Sequence, residues 1–326
     1  MTHPHPWGKH VLGRALAVVG VLAAGALLGA NAPSLWEGFS YLHQMLTYDP
    51  IAVQSIDPAG PYATCLALAD QTNAERHDTL VATLTDLGLD PIPVPVPESD
   101  LPNLFVPLVP EGPYVVLDAH YDKSRETPTY QGAADNTAAV GVLLAAAGDL
   151  AGMSPHPPVA LLFSAAEERG MLGAQAFGDW AAKGNADISG IVVFDTLGRG
   201  RLAIRPTGWS GLRFWLPGPG HKVYDGRSIG EAGPLLPPDR TLTRELRALA
   251  EDDLIVYRRM AAMTNAHAFA EASIPAVAIT CSDIYYLNQV WERDADRVEL
   301  LDERNLAMAH RLIVAYARSL LRAPGS

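Results

Sequence analysis

The sequence predicts an α/β fold: a three-layer sandwich in which a mostly parallel, mixed central sheet is covered by helices on both faces. Two observations predict it. From about residue 60 onward, short apolar runs of strand length alternate with segments of helical period, the order that builds parallel sheets with helices on both faces. Hydrophobic residues make up 48% of the 326 residues and charged residues 18%, a globular balance that gives ample material for one large α/β core or two small ones.

The chain opens with Lys9 and Arg14 and no acid, followed by an uncharged run from Ala15 to Trp36. The seven Leu and Val residues between Ala15 and Ala30 supply roughly −2 to −4 kcal/mol toward bilayer insertion, eroded by three glycines. This segment reads as a membrane anchor or a signal peptide over 1–36. The run exceeds the usual signal core, yet Ala30-Asn31-Ala32 offers a cleavage site, with Pro33 against it. Either reading exports the rest and places the protein in the cell envelope, anchored by one span or released if the leader is cleaved. Residues 37–59 read as a linker and 60–326 as the main domain.

Asn73 to Leu87 has helical spacing and stops at Gly88. Pro91 to Pro97 is extended and excluded from a central strand by its prolines. Tyr114–Asp118, Val159–Phe163 and Ile191–Phe194 are apolar strands; Asn136–Leu150 and about Met171–Lys183 are the helices between them. Leu202–Arg205 and Ala276–Thr280 are further strands, and Glu303–Leu321 is a closing amphipathic helix. Residues 207–262, rich in Gly and Pro, read as a surface insertion near the site.

With 24 basic and 36 acidic residues the net charge is −12, which argues against a nucleic-acid partner. Cys65 and Cys281 are too few for a disulfide framework or a cysteine-rich metal site, and either pair together or stay as buried thiols. His3, His5 and His10 belong to the leader. Gly208-Trp-Ser210-Gly-Leu212 lacks the last glycine of a nucleophile elbow, and Gly198-Arg-Gly200 opens no helix.

In open α/β sheets the site lies outside the carboxyl ends of the strands. Four polar clusters fall there: His120-Tyr-Asp122, Gly132-Ala-Ala-Asp135-Asn136, Glu167-Glu168 and Asp195. One imidazole among several carboxylates suits a hard-to-borderline divalent cation such as zinc. Alone, each cluster is weak, since Asp135 could be a helix cap and the Glu pair a solvated face. Their joint occurrence in order carries the signal.

Together with Phe163-Ser-Ala-Ala-Glu167-Glu168-Arg-Gly-Met-Leu-Gly173 and Phe194-Asp195-Thr-Leu-Gly198, these motifs resemble the co-catalytic zinc aminopeptidases of metallopeptidase family twenty-eight, over about residues 60–322. That family also holds glutamate carboxypeptidase-like and glutaminyl cyclase-like proteins, and its fold is the zinc-peptidase (phosphorylase/hydrolase-like) sandwich. The resemblance implies two zinc ions per chain, or one, and a peptide substrate cut at its N-terminus by a metal-activated water. His120 would bind one zinc with Asp122 orienting its imidazole, and Asp135 would bridge both metals. Glu168 and Asp195 would each bind one metal, and Glu167 would be the general base. Where the family places a final His ligand after an aromatic residue, this chain has Glu292 after Trp291, so Glu292 is the candidate fifth ligand. A solvated Glu292 paired with Arg293 or Arg297 is the plain alternative, with His267 then the first substitute. The other activities compatible with the pattern are a glutaminyl cyclase-like acyltransferase, whose members usually carry Ser where Asn136 stands, and a non-catalytic envelope binding domain.

Overall fold

A computed structural model describes residues 35–40, 42–43, 46–47, 60–208 and 235–322, apart from 259, 284, 285, 287 and 288. The helices are α1 (Pro61–Leu68), α2 (Asn73–Asp86), α3 (Ala138–Ala151), α4 (Leu172–Trp180), α5 (Arg240–Ala250), α6 (Asn265–Glu271) and α7 (Glu303–Leu320). The strands are β1 (Ile92–Val94), β2 (Asn103–Pro107), β3 (Tyr114–His120), β4 (Val159–Ser164), β5 (Ile188–Phe194), β6 (Leu202–Arg205), β7 (Leu254–Val256) and β8 (Ala276–Cys281). They form one mixed sheet in the order β1-β2-β4-β3-β5-β8-β6-β7. The central strands β4, β3, β5 and β8 run parallel, whereas β1, β2 and β6 make antiparallel pairs.

The strand period of two divides the core. Val115, Leu117, Leu161, Phe163, Val192 and Phe194 face one apolar layer with helices α1, α2, α3, α5 and α7. Val116, Ala160, Leu162, Ile191 and Val193 face a smaller layer with Ala174 and Phe177 of α4 and Ala266 and Phe269 of α6. Both faces of the sheet are therefore covered, and its middle strands are apolar throughout. Pro93, within Ile92–Val94, is tolerated because β1 is an edge strand.

Three details differ from the sequence reading. The helix expected from Asn136 begins at Ala138, because Asp135 and Asn136 have non-helical backbone angles. Residues 240–256, expected within a surface insertion, supply α5 and the edge strand β7, which pairs parallel with β6. Residues 209–234 of that stretch lie outside the described residues. Asn103–Pro107, not anticipated, pairs with both β1 and β4. Cys65 and Cys281 are free and buried. The leader 1–34 lies outside the described residues; among those described, no helix is long and apolar enough to cross a membrane.

Candidate metal centre

The parallel neighbours β4, β3 and β5 end together, so their carboxyl ends open on one rim. His120 is the last residue of β3 and lies beside Ser164, the last of β4. Glu167 and Glu168 follow β4, and Asp195 follows β5 directly. Asp135 comes from the turn before α3, and Glu292 from the segment after β8. Thus residues 172 positions apart in the chain share one rim.

The imidazole of His120 is the centre of the group and is 1% exposed. Its Nε2 faces Asp135 Oδ1 at 3.2 Å, Asp195 Oδ1 at 3.9 Å and Glu167 Oε2 at 4.0 Å. Its Nδ1 lies 3.2 Å from the carbonyl oxygen of Asp122 and 3.4 Å from Asp122 Oδ1. That contact turns Nδ1–H toward Asp122 and leaves Nε2 for a cation. Asp122 does more than orient the ring. Its Oδ1 accepts the backbone N–H of Glu167 and its Oδ2 that of Glu168, each at 3.1 Å.

Two sets of ligand atoms lie within 4.8 Å of one another: His120, Asp135 and Asp195, all buried, and Asp135, Glu168 and Glu292. Asp135 belongs to both. The donor set of one nitrogen and otherwise carboxylate oxygens fits a divalent cation, which would offset the charge of carboxylates crowded at a partly buried rim. Glu292 therefore stands with the cluster, while Arg297 pairs with Glu299 at 3.4 Å and Arg293 donates to the carbonyl of Gln289. His267 lies in α6 facing Glu271 at 3.4 Å and joins neither ligand set.

Burial and crowding of like charges set the electrostatics. Desolvation, reinforced by neighbouring carboxylates, pushes Asp195 up to about 7 and holds Glu167 well above the usual carboxylate range. Burial alone would lower the His120 pKa, but its contacts with Asp122 and Asp135 and the charges of Glu167 and Asp195 outweigh it. The imidazole is raised well above its ordinary value. A cation bound there would compete with protons for these atoms.

Several residues support the rim through contacts that the sequence reading did not assign. Asn103 accepts from Ala165 N and donates to Gly173 O, both at 2.9 Å, and so fixes the turn carrying Glu167. Asp296 accepts from the backbone of Ala134 (2.8 Å) and Asp135 (3.2 Å). Burial, offset in part by those N–H groups, lifts it to about 7. Asn136 donates to the carbonyl of Phe194, tying the Asp135 turn to the end of β5. Beneath His120, Asp118 is buried with Ser164 and Asn265 as hydrogen-bond donors. The indole of Trp291 donates to Asp135 Oδ2 at 2.5 Å. Ala166, Thr196 and Glu292 have positive φ, next to or at site residues, where such strain often collects. A strand reading of Asn-Leu-Phe-Val-Pro would have flagged Asn103; the sequence marks Trp291 only as the aromatic before Glu292, and the ties of Trp291 and Asp296 to Asp135 appear only in the fold.

Fold and rim define a class: an α/β sandwich with a carboxylate-rich candidate metal centre at the carboxyl ends of its parallel strands. Within that class, the model of peptidase family M28 matches residues 103–317, and the chain belongs to that family. The match spans every site residue named above. Among solved structures, the Legionella pneumophila LapA aminopeptidase superposes with a TM-score of 0.64 at 17% identity, covering 84% of this chain and 77% of that one. The Fimbriiglobus ruber glutaminyl cyclase gives a TM-score of 0.59 at 17% identity, covering 82% of this chain and 97% of that one. A glutaminyl cyclase from Porphyromonas gingivalis gives 0.58 at 17%, covering 80% and 97%. At these identities the likeness is one of fold. No curated protein sequence matches the chain.

Proposed function

We propose that this protein is an exported zinc-dependent exopeptidase that removes N-terminal residues from peptides. The observation that carries the reading is the pair of ligand sets sharing Asp135, with buried Glu167 beside them. His120 and Asp195 would hold one ion, Glu168 and Glu292 the other, and Asp135 both. A bound zinc supplies Lewis acidity toward a peptide carbonyl and lowers the pKa of water from 15.7 toward 7.

The chain's own residues do the rest. Glu167 does not need to ligate, so its carboxylate accepts the proton of the attacking water and returns it to the leaving amine. Asp122 holds Glu167 and Glu168 by their backbones, so the two side chains diverge from one anchored turn. The test is hydrolysis of aminoacyl anilides by the zinc-loaded chain. Activity that survives EDTA, or a purified chain without zinc, would sink the proposal.

A glutaminyl cyclase activity is the second reading, favoured by the near-complete coverage of the glutaminyl cyclase structures. A peptide with N-terminal Gln separates the two: ring closure without anilide hydrolysis selects the cyclase. A binding domain without catalysis would turn over neither.

Export rests on the leader, and the residues after it add support. Glu37, in the helical residues 35–40, accepts from the backbone of Arg258 and Met260 at 2.7 Å each. Trp36 and Phe39 are 76% and 67% exposed, as suits a segment beside a bilayer. Cell fractionation with and without residues 1–35 tests it.

A further inference from the structure

Trp291 is 43% exposed, yet its indole N–H is committed to a buried carboxylate oxygen, Asp135 Oδ2. The other oxygen, Oδ1, faces His120 Nε2 at 3.2 Å. The backbone of Asp135 is fixed separately by Asp296, so the indole acts on the side chain alone. A carboxylate turns easily about its last bond. His120 already faces Oδ1 from its own side, so the hold of the indole falls on Oδ2, the oxygen that points away from His120.

Trp291 also precedes Glu292, which shares the second ligand set with Asp135 and Glu168. The indole bond thus joins two members of that set, one through its side chain and one through the adjoining backbone. Arg125 Nη2 adds a second tie, donating to the carbonyl of Glu292 at 2.8 Å. Each carboxylate oxygen carries two lone pairs, so Oδ2 can keep the N–H while it binds a cation.

We propose that Trp291 is a positioning residue for the metal held by Asp135, Glu168 and Glu292, and has little influence on the one held by His120 and Asp195. The inference rests on reading the cluster as a metal centre. Hydrogen-bond partners of metal ligands typically alter metal affinity 10–100-fold.

The experiment is a zinc titration of the metal-free full chain against a chromophoric chelator. Wild type, His120→Ala and Glu292→Ala first assign each zinc equivalent to its ligand set. Trp291→Phe keeps the ring and removes the N–H; Trp291→Tyr serves as a second variant with the same expectation. The equivalent lost in Glu292→Ala should weaken about 10–100-fold in both. The His120-dependent equivalent should hold within about twofold in both. Unchanged affinity at both sets, equal weakening at both, or the absence of a Glu292-dependent equivalent overturns the proposal. A wild-type chain that takes up no zinc instead overturns the metal-centre reading on which it rests.

Discussion

Asp122 and Glu167 are joined by a backbone hydrogen bond of 3.1 Å, and the same carboxylate reaches Glu168 with its other oxygen. The residue that orients His120 thus also anchors the turn carrying the candidate base and a candidate ligand.

An Asp122→Asn substitution keeps the shape but leaves only one acceptor oxygen for two N–H groups. One buried N–H then faces an amide NH₂, at a cost of about 1–3 kcal/mol. The expected result is a lower denaturation midpoint in urea together with weaker zinc binding. A variant as stable and as tight as wild type would deny the anchoring role.

Glu167 and Glu168 should separate cleanly. Glu167→Gln is expected to fold and bind metal normally while losing at least ~10²-fold in rate, because an amide cannot take the proton. Glu168→Gln should lose metal. Metal analysis beside the turnover assay reads both, and equal metal loss in the two variants contradicts the division.

Much of this rim was legible in the sequence, because each strand end carries its chemistry within a few residues of an apolar run. His120, Glu167, Glu168 and Asp195 needed only the strands to be placed correctly. The edge pieces were harder. Asn103–Pro107 is flanked by proline and is too short for periodicity to mark. β7 has only three residues and pairs with β6 from a distant part of the chain. Asp296 and Trp291 act on Asp135 from about 160 residues away, so no local pattern could assign them.

Glu292 tests the second ligand set. Glu292→Ala should lose one zinc and most activity, whereas Glu292→His should keep or tighten zinc binding by adding a nitrogen donor. Its carboxylate set is harder than a two-imidazole set, so wild type should discriminate less between zinc and manganese. Full metal content and turnover in Glu292→Ala would return this residue to a surface role.

Acidity should act on the metal-free chain in a defined direction. Glu167 and Asp195 have folded pKa values raised above their unfolded ones, so ionising them costs the fold as pH rises, for Asp195 between about 4 and about 7. His120 is raised as well, and its stabilising contribution, complete below about 6.5, is lost at higher pH. Both effects have the same sign. EDTA-treated protein should melt at a lower temperature at pH 8 than at pH 5, and added zinc should restore more at pH 8. The opposite order would mean that the crowded carboxylates are relieved by other groups.

The clasp of Asp296 on the Asp135 turn has a consequence for the life of the chain before it is finished. During synthesis, His120, Asp135, Glu168 and Asp195 leave the ribosome well before Asp296, which fixes the backbone of Asp135. An unfinished chain therefore carries the Asp135 turn without the side chain that clasps its backbone. A metal ion that needs the clasped turn would be bound only after this last segment has folded, and for an exported chain it would be drawn from the compartment where that happens.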